Sequence, residues 1–368
     1  MKILQLINVR WYNACAHFAI SQAITLANRG HEVIVMADPD SPPANAAKKA
    51  GLQCETSIKY SKMIETPLNI YRFCKFLKKT NPDIIIAHRG ESHLIAAFAL
   101  RFCKNRISLI RYRGDVRFAR TTFFGRWVTN KLTAGIGVST EKHRQYYLNK
   151  FDCPVVKVLY PGIDTDYFAP SPKDKKLANE LGIKPHEFVV GLVGRLATIK
   201  GHRIFIESAK LLTLKNKNIR FVIAGEDEAI KLDQLKIAAE KWRIADKFIF
   251  MGRVDDIRKI ISLFDLGVIA STGSESISRV LLEFMAMGIP VVGTEINQIP
   301  EILGGCGVLV PPGDPVKMAE AIQTLNDDNK LRETLIQKAL TEVRSKYTMA
   351  MLGQNSEELI KEVLNGAR

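Results

Sequence analysis

No apolar run in this 368-residue sequence is longer than about seven residues, the longest being Leu94 to Leu100, whereas a bilayer-spanning helix needs ~20. The opening Met1-Lys2-Ile-Leu-Gln runs straight into a strand pattern with no cleavage-site signature. The chain therefore reads as neither secreted nor membrane-spanning, and as cytoplasmic. Cysteine is scarce and scattered: Cys15, Cys54, Cys74, Cys103, Cys153 and Cys306 form no CxxC pair, and no histidines stand at zinc-finger spacing. That excludes a disulfide framework and a structural zinc site, and favours reduced, buried thiols. The Walker A pattern and the GxGxxG fingerprint are both missing, which argues against an ordinary NTPase or dinucleotide dehydrogenase.

Acidic residues are also rare in one region. Residues 1–170 hold 25 Lys+Arg against 12 Asp+Glu, a net +13, while residues 171–368 hold 28 against 26, a net +2. From Arg101 to Lys131 there are nine basic residues and one acid, Asp115, interleaved with Phe118, Phe123, Phe124 and Trp127. Such a surface suits an anionic membrane or a phosphorylated acceptor. Nucleic acid is the competing partner, but no helix-turn-helix, zinc or RNA-recognition signature accompanies the charge. The bland alternative is a solvated face with several of the aromatics in the core.

With 46% hydrophobic and 25% charged residues, the composition is that of an ordinary globular chain, long enough for two cores. Short β-rich runs alternate with helical patterns. Ile3 to Ile7 and Val33 to Ala37 bracket a helix over Phe18 to Asn28, a βαβ opening that signals a doubly wound domain. Further strands are expected at Asp83 to Ala87, Ser108 to Tyr112, Gly135 to Val138 and Val155 to Leu159. The Pro-rich, charged stretch Ala169 to Lys176 is the linker candidate. Beyond it the pattern restarts, with strands at Phe188 to Leu192, Ile219 to Ala224, Phe248 to Met251 and Leu266 to Ala270. Two α/β domains follow from this pattern.

Two stretches carry chemistry. Val193-Gly-Arg-Leu-Ala-Thr-Ile-Lys-Gly201 lies between a strand and a helix, where glycine permits close backbone approach and Arg195 with Lys200 can hold a diphosphate. A Gly-Arg pair by itself is more often a turn than a site. Ser274 to Pro290 follows a buried strand and sets Glu275 and Glu283 around the start of a helix over Ser278 to Met287. In an open parallel sheet that loop is where ligands sit, and the helix N-terminus offers unpaired N–H groups to phosphate. The competing reading makes both glutamates solvated helix-face charges. Two Asp-x-Asp strings, Asp38-Pro-Asp40 and Asp164-Thr-Asp166, suggest a metal-bound diphosphate only weakly, because short acidic turns are common.

The Glu-x7-Glu spacing, the continuation LLEFMAMGIPVVGT, and Gly194-Arg195 followed by Lys200-Gly201 together resemble the retaining glycosyltransferases of family 4, and the resemblance covers nearly the whole chain. It implies the α/β GT-B architecture, two Rossmann-like doubly wound domains facing across a cleft. The expected parts are an acceptor-binding domain over 1–168, a linker over 169–177, a nucleotide-sugar-binding domain over 178–347, and a last helix over 348–368 crossing back to the first domain. It implies a nucleotide-diphosphate sugar as co-substrate, with Arg195 and Lys200 stabilising the leaving diphosphate and Glu275 positioning the donor sugar. Glu283 would bond the ribose hydroxyls, the amides of Ile277, Ser278, Arg279 and Val280 would face phosphate and sugar, and the loop at Val254 would border the base. Because the basic pair supplies the countercharge, neither a metal nor a further cofactor is expected.

The chain departs from the family pattern at three places. The N-terminal glycine pair falls at Asn13 and Ala14, the histidine many members carry after the fifth strand falls at Arg113, and the usual Pro-Phe-Gly is Ser276-Ile277-Ser278. Asn13, Ala14, His88, Arg113 and Asp115 are the acceptor-side candidates, and an arginine at 113 suits an anionic acceptor. The enzymes most resembled are those of lipopolysaccharide core assembly, acting on a glycan or glycolipid at the inner membrane surface, with no nucleic acid involved. A nucleotide-sugar 2-epimerase of the same architecture and a nucleotide-sugar-binding protein without turnover are the alternatives.

Overall fold

Short buried apolar runs and longer amphipathic stretches fold, in the computed structural model, into two parallel sheets flanked by helices. The structure describes residues 1–9, 11–56, 66–102, 107–273 and 278–366. The chain divides into two units, one made of Met1–Gly162 with Thr348–Arg368, the other of Ile163–Tyr347.

The first unit runs β1 (Lys2–Ile7), α1 (Ala14–Asn28), β2 (Glu32–Ala37), α2 (Pro42–Lys49), β3 (Gln53–Glu55), α3 (Thr66–Thr80) and β4 (Ile84–Ala87). It continues with α4 (Gly90–Phe102), β5 (Ser108–Arg113), α5 (Phe123–Leu132), β6 (Gly135–Val138), α6 (Glu141–Lys150) and β7 (Val156–Val158). Its seven described strands lie in the order β3-β2-β1-β4-β5-β6-β7, all parallel. Strands buried on both faces read as continuous Ile/Val/Leu runs, which is why β1 and β4 are so plain in the sequence. The C-terminal helix Met349–Gly366 closes this unit by packing on α1, β5 and β6. A β-carbon on Gly135 of β6 would overlap the Val363 side chain, so only glycine admits the helix that closely. Gln22 Nε2 donates to Ser356 Oγ at 2.9 Å, and Lys157 Nζ reaches Glu358 at 2.7 Å on the same seam.

The second unit runs α7 (Lys175–Glu180), β8 (Phe188–Val193), a 3-10 turn (Thr198–Lys200), α8 (His202–Thr213), β9 (Ile219–Ala224), α9 (Leu232–Lys241) and β10 (Phe248–Met251). After it come α10 (Ile257–Ile261), β11 (Leu266–Ile269), α11 (Arg279–Ala286), β12 (Val291–Thr294), α12 (Ile299–Leu303), β13 (Val308–Val310), α13 (Pro315–Asp327) and α14 (Asn329–Lys346). The strand order is β10-β9-β8-β11-β12-β13. Consecutive strands step outward from β8 on one side and from β11 on the other, which puts the topological switch point, and any ligand crevice, at the carboxyl ends of β8 and β11.

The stretch over 169–177 is not a free linker. Lys173 Nζ bonds Asp265 Oδ2 at 2.6 Å and α7 begins at Lys175, so the stretch belongs to the second unit. The chain passes between units at Gly162/Ile163 and again at Tyr347/Thr348, and Ile163 N donates to Tyr347 O at 2.7 Å. No described helix is long and apolar enough to cross a membrane.

Candidate functional site

In the second unit, the residues singled out in the sequence converge on one edge of the sheet. Gly194 and Arg195 follow β8, Lys200 ends the 3-10 turn before α8, Val254 follows β10, and Ser278, Arg279, Val280 and Glu283 lie at and within the start of α11 after β11. Because every strand is parallel, all four loops leave the same side. Glu275 and Ile277 lie outside the described residues.

Two glycines set the spacing. Gly201 has φ +72°, the left-handed region, and a β-carbon there would run into the Ala270 carbonyl at the end of β11. Thr272 N donates to Ile199 O at 2.8 Å, so the turn after β8 and the loop after β11 are laced together by backbone. From behind, Thr294 Oγ1 donates to Ser271 O at 2.7 Å and Ile269 O at 3.3 Å. On the other flank a β-carbon on Gly225 would overlap the Gly194 carbonyl, which brings the loop after β9 against Gly194-Arg195. The turn carrying the basic pair is thus held between β9 and β11.

Electrostatics give each side chain a separate character. Arg195 is more than half exposed and ion-pairs with Glu228, while Arg253 stands 4.0 Å from Glu226. The loop Gly225-Glu-Asp-Glu228 therefore offers acids to the arginines at this edge. Glu283 is 4% exposed, and burial raises its carboxyl above the ordinary range, opposed by Arg279, whose Nη2 donates to Oε1 at 3.2 Å. A buried carboxylate one turn inside a helix, with one oxygen engaged by a half-exposed arginine, is not a solvated face charge. The first N–H groups of α11 lack intrahelical acceptors, and Ser278 at the cap position makes no side-chain bond to them. Beneath the turn, His202 is fully buried and lowered to about 4 by burial, with the Gly194 and Ala197 carbonyls opposing. It is a neutral support for the loop.

The first unit presents its candidates at the corresponding edge, with some reassigned. Asn13 caps α1, its Oδ1 accepting from Ala16 N at 3.1 Å, so that helix begins at Ala14, earlier than the expected Phe18. Ala14 is half-buried in its first turn. His88 does not face an acceptor. It is 2% exposed, its Nε2 lies 2.7 Å from Gln5 Oε1, and burial together with Arg111 lowers it to about 3. Arg113 and Asp115 do reach the edge: Arg113 Nη2 stands 3.4 Å from Asp115 Oδ2 and donates to Arg117 O at 3.0 Å. In the second unit, Asp164 Oδ1 accepts the amides of Asp166 and Tyr167 at 3.0 and 2.9 Å, so that string caps its own turn. Among the described residues no cluster of three or more His, Cys, Asp or Glu has metal-holding geometry.

Several participants escaped the sequence reading. The acids 226–228 were visible as an acidic run directly after a buried strand. Arg111 hides inside an apolar strand, and Thr294 and His202 resemble ordinary core-edge residues.

Comparison with known proteins finds family matches in both units. Residues 16–167 match Glycosyltransferase Family 4, and residues 187–328 match Glycosyl transferases group 1. The alpha-D-kanosaminyltransferase of Streptomyces kanamyceticus is 32% identical over 179 residues, 48% of this chain and 46% of that protein. The lipopolysaccharide core biosynthesis mannosyltransferase LpsB of Rhizobium meliloti is 30% identical over 217 residues, 57% of this chain and 60% of that protein. The chain thus spans about half the length of these curated relatives. The crystal structure of Anabaena Alr3699/HepE in complex with UDP has a TM-score of 0.86 at 20% identity, over 98% of this chain and 100% of that one, a likeness of fold.

Proposed function

The chain belongs to the glycosyltransferases, with a family 4 domain over 16–167, a group 1 domain over 187–328 and the GT-B fold, and from that premise we propose that it moves a sugar from a nucleotide-diphosphate donor to a cell-surface glycan or lipid-linked acceptor, with retention of anomeric configuration. The observation that carries this reading is the convergence of Arg195, Lys200, the α11 N-terminus and the buried Glu283 on the switch point between β8 and β11.

In glycosyl transfer the anomeric bond breaks toward an oxocarbenium-like state, and negative charge collects on the departing diphosphate. Donors preorganised there stabilise that charge more than they stabilise the intact substrate. Arg195 supplies a planar two-pronged donor and Lys200 a mobile point charge, while by resemblance the amides of Ile277 to Val280 face the phosphate and the sugar. In this reading Glu283 accepts from ribose hydroxyls, Val254 borders the base, and Glu275 positions the donor sugar. With this countercharge in the chain itself, transfer needs no divalent metal. On the acceptor side Arg113 and Asp115, beside the loop at Asn13 and Ala14, are the contacts we assign.

The acceptor is anionic in this reading, and lipopolysaccharide core is the class favoured, since one relative of the chain is a core mannosyltransferase. The basic N-terminal sequence is the second support. Phe123, Phe124 and Phe102 are 88, 49 and 70% exposed among its arginines, so much of the aromatic content there is surface, suited to the inner face of an anionic membrane.

A panel of nucleotide diphosphates tests the donor assignment. One base should raise the melting temperature, since a ligand at 100 Kd adds ~2.7 kcal/mol. Labelled donor of that base should then yield a new glycoside in the presence of chelator, with an NMR coupling constant matching the donor's configuration. An isomerised donor, inversion, or a strict need for Mg or Mn would overturn the reading.

A further inference from the structure

The N-terminal unit holds a cavity of about 500 Å³ between the start of α4, the end of β5, and helices α5 and α6. Among the described residues four guanidinium side chains line it, Arg89, Arg111, Arg113 and Arg120, against two carboxylates, Glu91 and Asp115, a surplus of two positive charges. The pairing that exists is loose. Glu91 stands 3.7 Å from Arg89, and Asp115, itself half exposed, is divided between Arg113 at 3.4 Å and Arg111 at 3.9 Å. None is the close two-pronged arginine–carboxylate contact at 2.7–2.9 Å that satisfies a guanidinium fully.

The arginines are also withdrawn from water. Arg111 is 7% exposed, with Nη1 donating to Ala87 O at 2.9 Å, and Arg113 Nε is buried without a partner. A buried donor left unpaired costs free energy that a bound acceptor restores. Burial and the neighbouring Arg113 pull Arg111 down to about 10, the direction expected where like charges crowd without a full counterion. Hydroxyl and aromatic groups complete the wall, Thr122 and Phe124 from the start of α5 and Tyr147 from α6.

We propose that this cavity binds a phosphate monoester carried on a small polar body, a phosphorylated sugar of the acceptor. The surplus of two charges matches a group that carries close to two negative charges at pH 7, where a carboxylate carries one. The volume exceeds what a bare phosphate fills and is that of a small-ligand site, so the phosphate lies against Arg111, Arg113 and Arg120 and the sugar lies toward Phe124. The assignment to the acceptor rests on the glycosyl-transfer reading; the binding of the monoester does not.

Calorimetric titration of the full chain with inorganic phosphate and with mannose 6-phosphate tests it. Both should bind saturably, mannose 6-phosphate the tighter, and neutral mannose should not compete. Arg113→Gln and Arg120→Gln should each weaken mannose 6-phosphate binding at least tenfold, and Arg113→Lys less. Absence of saturable binding, or wild-type affinity in both glutamine variants, overturns the proposal. Displacement of the bound phosphate by phosphatidylglycerol vesicles would overturn the sugar source in favour of a lipid headgroup. Nucleotide titrations of the same variants separate the two readings: unaltered donor binding with no phosphate site leaves glycosyl transfer standing and removes this pocket alone.

Discussion

Gly201 lies so close to Ala270 that a β-carbon on it would fall on the Ala270 carbonyl. The contact joins the turn that carries Lys200 to the loop that leads into α11, so the two halves of the proposed diphosphate site share one backbone seam.

Gly201→Ala should therefore be costly in two ways. The left-handed conformation alone costs ~1–2 kcal/mol for a side chain, and the overlap with Ala270 adds to it by prising the loops apart. Gly182→Ala is the control, because Gly182 has φ +70° with nothing within 4 Å of a β-carbon. In denaturant unfolding Gly201→Ala should lose more than ~3 kcal/mol and Gly182→Ala about 1, and only the former should lower nucleotide affinity, by tenfold or more. Equal effects would dissolve the seam.

Glu283 should show opposed effects on stability and binding. Its carboxyl is raised in the folded protein, so the native state holds a proton more tightly than the unfolded chain does. Stability from this group is then present at low pH and declines as pH rises from its ordinary value of 4.5 through the raised folded one. Glu283→Gln removes that slope and should be more stable than wild type at pH 7 than it is at pH 4. Nucleotide affinity should fall at every pH. A variant less stable at pH 7 with unchanged affinity would refute both parts.

Arg195 must leave Glu228 to meet a diphosphate. The pair is exposed on both sides, and exposed pairs contribute ~0.2–1 kcal/mol. Glu228→Gln should thus tighten nucleotide diphosphate binding by up to roughly fivefold, while Arg195→Gln weakens it and cancels the gain in the double variant. Additive effects in that cycle would show that the two side chains do not compete.

Attachment to anionic vesicles should depend on the exposed basic and aromatic face of the N-terminal unit. Co-sedimentation with phosphatidylglycerol vesicles should exceed that with neutral ones and fade between 0.1 and 1 M salt as the Debye length falls from ~10 to ~3 Å. Changing Arg117, Arg126 and Lys131 to Ser should release most of it, at ~1 kcal/mol per charge. Equal binding to both lipids would leave the charges as a solvated face.

Both sheets were legible in the sequence because parallel strands buried on both faces appear as unbroken Ile/Val/Leu runs, as in Ile84 to Ala87 and Ile219 to Ala224. The helices carrying many lysines and arginines were not: α5 and α6 show little apolar periodicity, since α5 buries only Val128 and α6 only His143 and Tyr147. The turn after β8 was legible as a candidate site because Gly194-Arg195 and Lys200-Gly201 lie close together in the sequence. His88 was misplaced for the opposite reason, because position at a strand's end does not reveal that Gln5, Phe18 and Tyr112 close over the ring. The arginine cavity draws on residues 89 to 147, a separation no local motif records.

The C-terminal helix gives the two units different histories. Residues 163–347 are contiguous, so the second unit needs nothing made after Tyr347 to assemble. The N-terminal unit, made first, lacks the helix that covers β5 and β6 until residues 349–366 arrive, and Gly135 waits for Val363. Although made first, the N-terminal unit thus cannot complete its fold before the residues of the second unit have been made, unlike the usual first-made, first-folded order of domains.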